Sequence, residues 1–241
     1  MNKYKIADVI VEVTNHSEFS QKLMADYEYN GNQPVDLTIT VTDDMIEYEK
    51  KHCNESFQYY YYEATAICRS VCMEVLKNHQ GFFFHCSSLE YNNKAFLFTA
   101  PSGTGKSTHA KLWQKHFGSK VTMINDDKPI IKRENGKFYI YGTPWQGKTN
   151  IGNNIKVPVH AICILSQGKE NIIEKIDPIT ALTHFMEQTE RPKDKESMEK
   201  LMDLLGDFVI QIPVYKMSCN ISEEAVTTAF NAMIWGIIWK M

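Results

Sequence analysis

The 241-residue sequence predicts an α/β fold, and three observations carry that prediction. Residues 94 to 108, KAFLFTAPSGTGKST, run from an apolar strand through a glycine-rich loop into a helix. Strand-like apolar runs at Val121 to Asn125 and Val157 to Leu165 are interspersed with stretches of helical spacing, among them Phe57 to Lys77 and Pro178 to Thr189. No internal repeat or low-complexity segment breaks the pattern, and the length suits one substantial core with a small annex. We expect that core over residues 81–241 and an annex packed on it over residues 1–80.

The elements follow in chain order. Residues 5 to 13, which alternate through IADVIVEV, read as a strand, as do residues 35 to 41, VDLTITV. The polar stretch between them ends in the turn formers Asn30-Gly31-Asn32. A helix is expected from about Phe57 to Lys77, its aromatic run Tyr59 to Tyr62 serving as a packed face, with stacking on an adenine ring as the alternative use. Gly81 interrupts the helix, and Phe82 to Phe84 begin an apolar strand that ends in the polar patch His85-Cys86-Ser87-Ser88. After the glycine-rich loop, Thr108 to Phe117 form a helix closed by Gly118, then Val121 to Asn125 a strand that delivers Asp126 and Asp127. Residues 130 to 141 read as a hairpin turning at Asn135-Gly136. The GTPWQGKTN stretch fits either an ordinary connection or a loop over a ligand, with Lys148 and Trp145 as its candidate contacts.

Asp177-Pro178 opens a helix with a cap and a first-turn proline. The charged segment Glu190 to Lys200 reads as a solvated connection, followed by a helix around Met198 to Leu205. Ile212 to Met217 reads as a strand at a sheet edge because of Pro213, and Ser222 caps a final helix. In that helix Trp235 and Trp239 are expected as core or interface contacts.

Composition narrows the function classes. A net charge of -3 gives no support for nucleic acid as the main partner. No signal peptide or membrane span is legible, since Asp8 and Glu12 interrupt the N-terminal apolar run and Met233 to Trp239 is far too short to span. Six scattered cysteines without CxxC spacing read as reduced thiols in a cytoplasmic protein. Only Arg69, Arg133 and Arg191 are arginines, so any guanidinium at a site is one of these or comes from another chain.

From Ala100 the loop reads A-x-x-x-x-G-K-S, the P-loop pattern with alanine in place of its first glycine. Ser102, Gly103, Thr104, Gly105, Lys106, Ser107 and Thr108 are the candidate phosphate ligands. The glycines let backbone N–H groups approach phosphates, Lys106 adds a cation at the β/γ-phosphates, Ser107 offers a hydroxyl to Mg²⁺, and the following helix points its positive end there. Asp126 and Asp127 can divide the remaining labour, one near the metal and one accepting a proton from an attacking hydroxyl. In an unbroken strand they would face opposite sides, so the chain must turn for both to serve. His85 is a structural or a catalytic residue on this reading.

The order His85, APSGTGKST, INDD resembles the catalytic domain of HPr kinase/phosphorylase and its smaller relatives, in a superfamily that includes ATP-dependent phosphoenolpyruvate carboxykinase. The likeness is clearest from Gly81 to Asp127 and looser through GTPWQGK, Val157 to Leu165 and IPVYKMSC; residues 1–80 have no counterpart in it. It implies a two-layer α/β core with a mixed β-sheet wrapped around the P-loop helix, ATP and Mg²⁺ as cofactors, and phosphoryl transfer to a serine hydroxyl. It also implies Asp126 as acid/base, Asp127 as the acid near metal and histidine, Ser107 as metal ligand, and Lys106 and His85 as further catalytic residues. In place of that family's IEIRGLG signature this chain has GTPWQGKTN, so the likeness carries over neither HPr recognition nor the reverse reaction. We expect a kinase for serine in a peptide or protein, or for a small hydroxyl metabolite, with a homo-oligomer open. The alternatives are a carboxykinase-like lyase acting on a small dicarboxylate and a non-catalytic ATP sensor.

Overall fold

The computed structural model describes residues 2–53 and 56–236. It opens on two strands where the alternation predicts one: β1 (Asn2–Ile6) and β2 (Val9–Thr14) form an antiparallel hairpin. Ala7 and Asp8 reverse the chain with φ of 50° and 61°, the left-handed pair of a two-residue hairpin turn. Neither is glycine or asparagine, so composition gives no sign of the turn. Asp8 is held there by Lys5 at 3.1 Å and by the Tyr141 hydroxyl at 3.0 Å. A short helix, α1 (Glu18–Leu23), capped by Ser17, interrupts the polar stretch. Strand β3 (Leu37–Thr40) then joins β2 in parallel, completing a three-stranded sheet.

Helices α2 (Asp43–His52) and α3 (Tyr59–Asn78) follow. Tyr62 is buried, whereas Tyr59 and Tyr61 are exposed, so the aromatic run only partly joins a packed face. The remaining elements are β4 (Gly81–Phe83), β5 (Cys86–Tyr91), β6 (Lys94–Thr99), α4 (Lys106–Phe117), β7 (Val121–Asn125), β8 (Ile130–Glu134) and β9 (Lys137–Tyr141). After these come β10 (Lys156–Gln167), β11 (Ile172–Lys175), α5 (Pro178–Glu187), α6 (Lys195–Gln211), β12 (Val214–Cys219) and α7 (Glu223–Trp235). The β8–β9 turn is the expected Asn135-Gly136, with φ of 49° and 77°.

Nine of these strands form one mixed sheet in the order β4-β8-β9-β10-β6-β5-β7, with β12 on β10 and β11 on β12. The pairs β6–β10 and β10–β12 are parallel and the others antiparallel. The run from Phe82 to Ser88, read as one strand, divides into β4 and β5, which serve opposite ends of that order. The same is true of β7 and β8. The two connecting stretches lie side by side: Phe84 N–H donates to the Pro129 carbonyl (3.2 Å) and Cys86 N–H to that of Asp127 (3.3 Å). The sheet is therefore curled, and its ends are stitched together along a seam at residues 84–88 and 125–129.

Both faces of the sheet are covered, where the resemblance implies two layers. Strand β6 explains the difference, because it is apolar on both sides. Phe96 and Phe98 pack with Trp113 of α4 and Ala229 of α7. Ala95 and Leu97 join Phe185 of α5 and Phe208 of α6 on the opposite face. A third cluster joins the three-stranded sheet and α3 to Ile130, Tyr141 and Trp145.

Three further expectations are corrected. Strand β12 is no edge: it lies between β10 and β11, and Pro213 stands just before it, where its carbonyl accepts the Ile162 N–H at 3.1 Å. Helix α6 begins at Lys195 behind an Asp194 cap, earlier than the charge run suggests. The pairs Lys195–Glu199 (3.6 Å) and Glu196–Lys200 (3.0 Å) make those charges the solvent side of a helix. Helix α7 stops at Trp235 against Gly236 (φ 65°), and Trp235 is 66% exposed, which overturns the core role expected of it but not the interface one. Trp239 lies outside the described residues. Among the described residues no helix is long and apolar enough to cross a membrane.

Candidate functional site

Strand β6 feeds Ala100 to Thr108 directly into α4. Gly103 (φ 79°) and Gly105 (φ 118°) take conformations that side chains resist, and Gly105 stands at the N-cap of α4. The first-turn N–H groups of α4 thus face the loop, an arrangement that favours an anion. Ser107 and Thr108 lie in that turn, and Ser102 is exposed on the loop. Lys106 is 7% exposed, and its ammonium donates to the carbonyls of Ala100 (2.9 Å) and Pro101 (3.4 Å). Burial depresses its pKa, while Cys86, Asp127 and Asp126 pull it back up.

The acids sit at the seam. Asn125 turns the chain after β7: its Oδ1 accepts the backbone N–H groups of Asp127 and Lys128, each at 2.8 Å, while its amide nitrogen donates to the Thr143 carbonyl at 3.0 Å. This side-chain turn releases Asp126 and Asp127 from strand geometry, the condition for both to serve. Asp126 is 6% exposed, with Oδ1 accepting from the Ser87 hydroxyl (2.5 Å) and Oδ2 from that of Thr149 (2.6 Å). Asp127 lies 3.4 Å from His85 Nε2, and the other ring nitrogen of His85 meets Gln188 Oε1 at 3.1 Å. His85 itself is fixed by its backbone, its N–H donating to the Gln188 carbonyl (2.7 Å) and its carbonyl accepting from Thr99 (2.9 Å). Beneath the seam, burial pushes the Cys86 thiol well up, which keeps it protonated and a poor nucleophile.

The structure thus brings Lys106, Asp126, Asp127 and His85 together. Sequence reading missed Asn125, Thr149, Gln188 and Gly147 as parts of the site. Ser87 and Thr149 belong to stretches that it singled out, but for other residues. Gly147 has φ of 66°, and a Cβ there would lie 2.9 Å from that of Asp127, so the loop passes close only because it is glycine.

Two cavities flank this centre. One, about 520 Å³, lies between the annex and the 145–150 loop, with Tyr61, Asp127, Lys128, Trp145 and Lys148 among its walls. Trp145 is both a wall and part of the annex core, an anchor rather than a free lid. The other, about 500 Å³, borders Gly103, Gly105 and Thr108, with His109, Leu112, Leu165 and Asn220 also among its walls. Burial pushes the His109 pKa down to about 4.

Two arginines are committed to ion pairs, Arg69 with Glu49 and Glu190 and Arg133 with Asp207, and Arg191 is exposed. Lysines supply the positive charge near the acids. Among the described residues, no three His, Cys, Asp or Glu converge on a point able to hold a metal. The available hard donors, Ser107 and a seam carboxylate, fit Mg²⁺, which completes its shell with phosphate oxygens and water rather than an all-protein cage.

The family model described as SynChlorMet cassette protein ScmC matches residues 63–226, more than half of the chain, with His85, Lys106, Asp126 and Asp127 inside the matched stretch. No curated protein matches the sequence. Among solved structures, the Hpr(Ser) kinase/phosphatase from Coxiella burnetii is similar at 13% identity, with 64% of this chain and 94% of that one covered and a TM-score of 0.34.

Proposed function

The chain belongs to the SynChlorMet cassette protein ScmC family, and from the site's own chemistry we propose that it is an ATP- and Mg²⁺-dependent kinase for a hydroxyl, serine of a peptide or protein first. One observation carries the reading: the strand that feeds the P-loop is joined to the acid-bearing seam, with Thr99 donating to the His85 carbonyl (2.9 Å) and Ser87, paired beside it, donating to Asp126 (2.5 Å), while Lys106 is buried at the loop itself. A phosphate cradle beside carboxylates is what phosphoryl transfer to a hydroxyl requires.

In this reading the glycine loop and Lys106 hold the β- and γ-phosphates, and Ser107 and Asp127 would hold Mg²⁺. Bound there, the metal would offset charge on the phosphate oxygens. The acceptor enters through the cavity between the annex and the 145–150 loop, guided by Lys128 and Lys148. Asp126, aimed by Ser87 and Thr149, takes the hydroxyl proton; each oxygen keeps a second lone pair for this. The hydroxyl oxygen bonds to the γ-phosphorus, the bridging P–O bond to the β-phosphate breaks, and ADP leaves with that electron pair. His85 orients Asp127.

A second reading exchanges the acids, favoured by the observation that Asp127, not Asp126, lines the acceptor-side cavity. The carboxykinase alternative loses support because Arg69 and Arg133 are committed to ion pairs with Glu49, Glu190 and Asp207.

The test is transfer of label from γ-labelled ATP with Mg²⁺ to serine peptides and, in parallel, to small hydroxyl metabolites. Phosphoserine is the expected product. Tight ATP binding with no transfer to either class would overturn the kinase reading in favour of an ATP sensor.

A further inference from the structure

We propose that Arg69, on helix α3 of the annex, is a positioning residue for phosphoryl transfer: through Glu190 it holds the stretch that fixes His85, and through His85 it orients Asp127. The inference rests on the kinase reading above and gives the annex a part beyond walling the acceptor cavity.

Residues 188–190 lie between α5 and α6, outside any helix or strand. With no ladder to place them, they are held by contacts from three consecutive residues. The Gln188 carbonyl accepts the His85 N–H at 2.7 Å, and its Oε1 lies 3.1 Å from His85 Nδ1. The Thr189 hydroxyl donates to the Phe83 carbonyl at 2.6 Å. Glu190 accepts from Nη1 of Arg69. The first two contacts reach the chain where β4 passes into β5, and the third ties the stretch to the annex. His85 is the last link, since its Nε2 lies 3.4 Å from Asp127 Oδ1.

The Arg69 end of this chain of contacts is anchored. Its Nε and Nη2 donate to the two oxygens of Glu49 on α2, at 2.5 and 3.1 Å, and its guanidinium carbon lies 5.4 Å from the centre of the Tyr48 ring. Glu49 is 4% exposed, and a carboxylate so buried is costly to unpair, so it pins the planar fork. The fork then presents Nη1 to Glu190 in a fixed direction, which a lysine, a point charge on a flexible stem, would not do.

The same helix faces the acceptor. Tyr61, Ala64 and Thr65 of α3 line the cavity that also borders Asp127, and Arg69 stands about one turn beyond Thr65. Thr65 and Lys128 further line a recess of about 40 Å³ whose walls include Arg69 and Glu190. The annex thus contributes alignment of an acid rather than charge at the reacting phosphate, and misplacement of a reacting group by a fraction of its bond length to the acceptor is enough to slow a positioned reaction.

The experiment is single-turnover transfer from γ-labelled ATP with Mg²⁺ to a serine peptide, with ATP affinity by calorimetry, for the full chain and for Glu190→Ala, Glu190→Gln, Arg69→Lys, His85→Ala and the double variant Glu190→Ala with His85→Ala. Glu190 is truncated rather than Arg69 because this leaves the buried Glu49 paired. Glu190→Ala is expected to slow transfer about tenfold at unchanged ATP affinity, the scale of one hydrogen bond to a charged group. Glu190→Gln, which keeps an acceptor, should retain most of the rate, and Arg69→Lys, which loses the fork, should slow it as Glu190→Ala does. With His85 already removed, loss of Glu190 should cost nothing further, because the two act through one another. The ¹⁵N ring signals of His85 should move in Glu190→Ala and return in Glu190→Gln, a readout independent of activity. Wild-type transfer by Glu190→Ala, an equal slowing with and without His85, or His85 signals that stay in place would each overturn the inference and leave Arg69 a role in the fold alone. If the wild-type chain binds ATP and transfers to no acceptor, the kinase reading itself fails and a positioning role in transfer falls with it.

Discussion

The phosphate side of the site, Ala100 to Thr108, is one uninterrupted run from strand to helix, whereas the acid side gathers Ser87, Asn125, Asp126, Asp127, Thr149 and Gln188 from separate stretches. The first is held by its own backbone: two left-handed glycines and a helix start. The second exists only where the curled sheet is stitched shut. A local cradle tolerates changes elsewhere in the fold. An acid pair assembled at a seam depends on every segment that meets there, so damage to the two sides should separate in experiment.

The largest effect should come from removing the proton acceptor. Asp126→Asn is expected to slow phosphoryl transfer by roughly 10² to 10⁴-fold with ATP affinity intact, as positioned proton transfer contributes about that much. If Asp127→Asn gives this pattern instead, the two acids exchange roles. Next, Gly147→Ala forces a left-handed alanine against Asp127; a loss on the order of 1–3 kcal/mol in urea unfolding is expected, together with slower transfer. Unchanged stability would mean that the 147–149 turn does not press on the seam.

The phosphate side offers a pH test. His109 binds its proton near 6.5 when unfolded and near 4 when folded, so the unfolded chain takes up more protons between these values. Stability should therefore fall as pH drops from 7 to 5, by about 2 kcal/mol from this group, and His109→Gln should remove that share of the slope. The smallest effect is expected at Thr149→Val, which leaves one oxygen of Asp126 without its donor. Transfer should slow about tenfold through kcat while KM for ATP stays put.

The same contrast explains what the sequence made legible. Lys106, Ser107 and the loop glycines are recognisable because their chemistry is written in consecutive residues. The paired acids could be read as a strand end beside that loop, but not the Asn125 turn that frees them, since an asparagine closing a strand carries no distinctive signal. Gln188 and Thr149 lie far along the chain from the groups they contact, and nothing local to either marks it. The fold shows the same division. The Asn135-Gly136 hairpin was readable from its turn residues, whereas the hairpin at Ala7-Asp8 was hidden by unremarkable ones. Pro213 suggested an edge because its missing N–H counts only inside a ladder, and the chain places it one residue before the strand begins.

The central claim is that one site joins a phosphate cradle to a separately built acid pair. The most direct measurement is ATP affinity and single-turnover transfer to a serine peptide, determined side by side for the wild-type chain, Lys106→Ala and Asp126→Asn. The account predicts that Lys106→Ala loses affinity, whereas Asp126→Asn binds ATP as the wild type does and fails to transfer. Transfer by Asp126→Asn at the wild-type rate, with Asp127→Asn equally active, would contradict it.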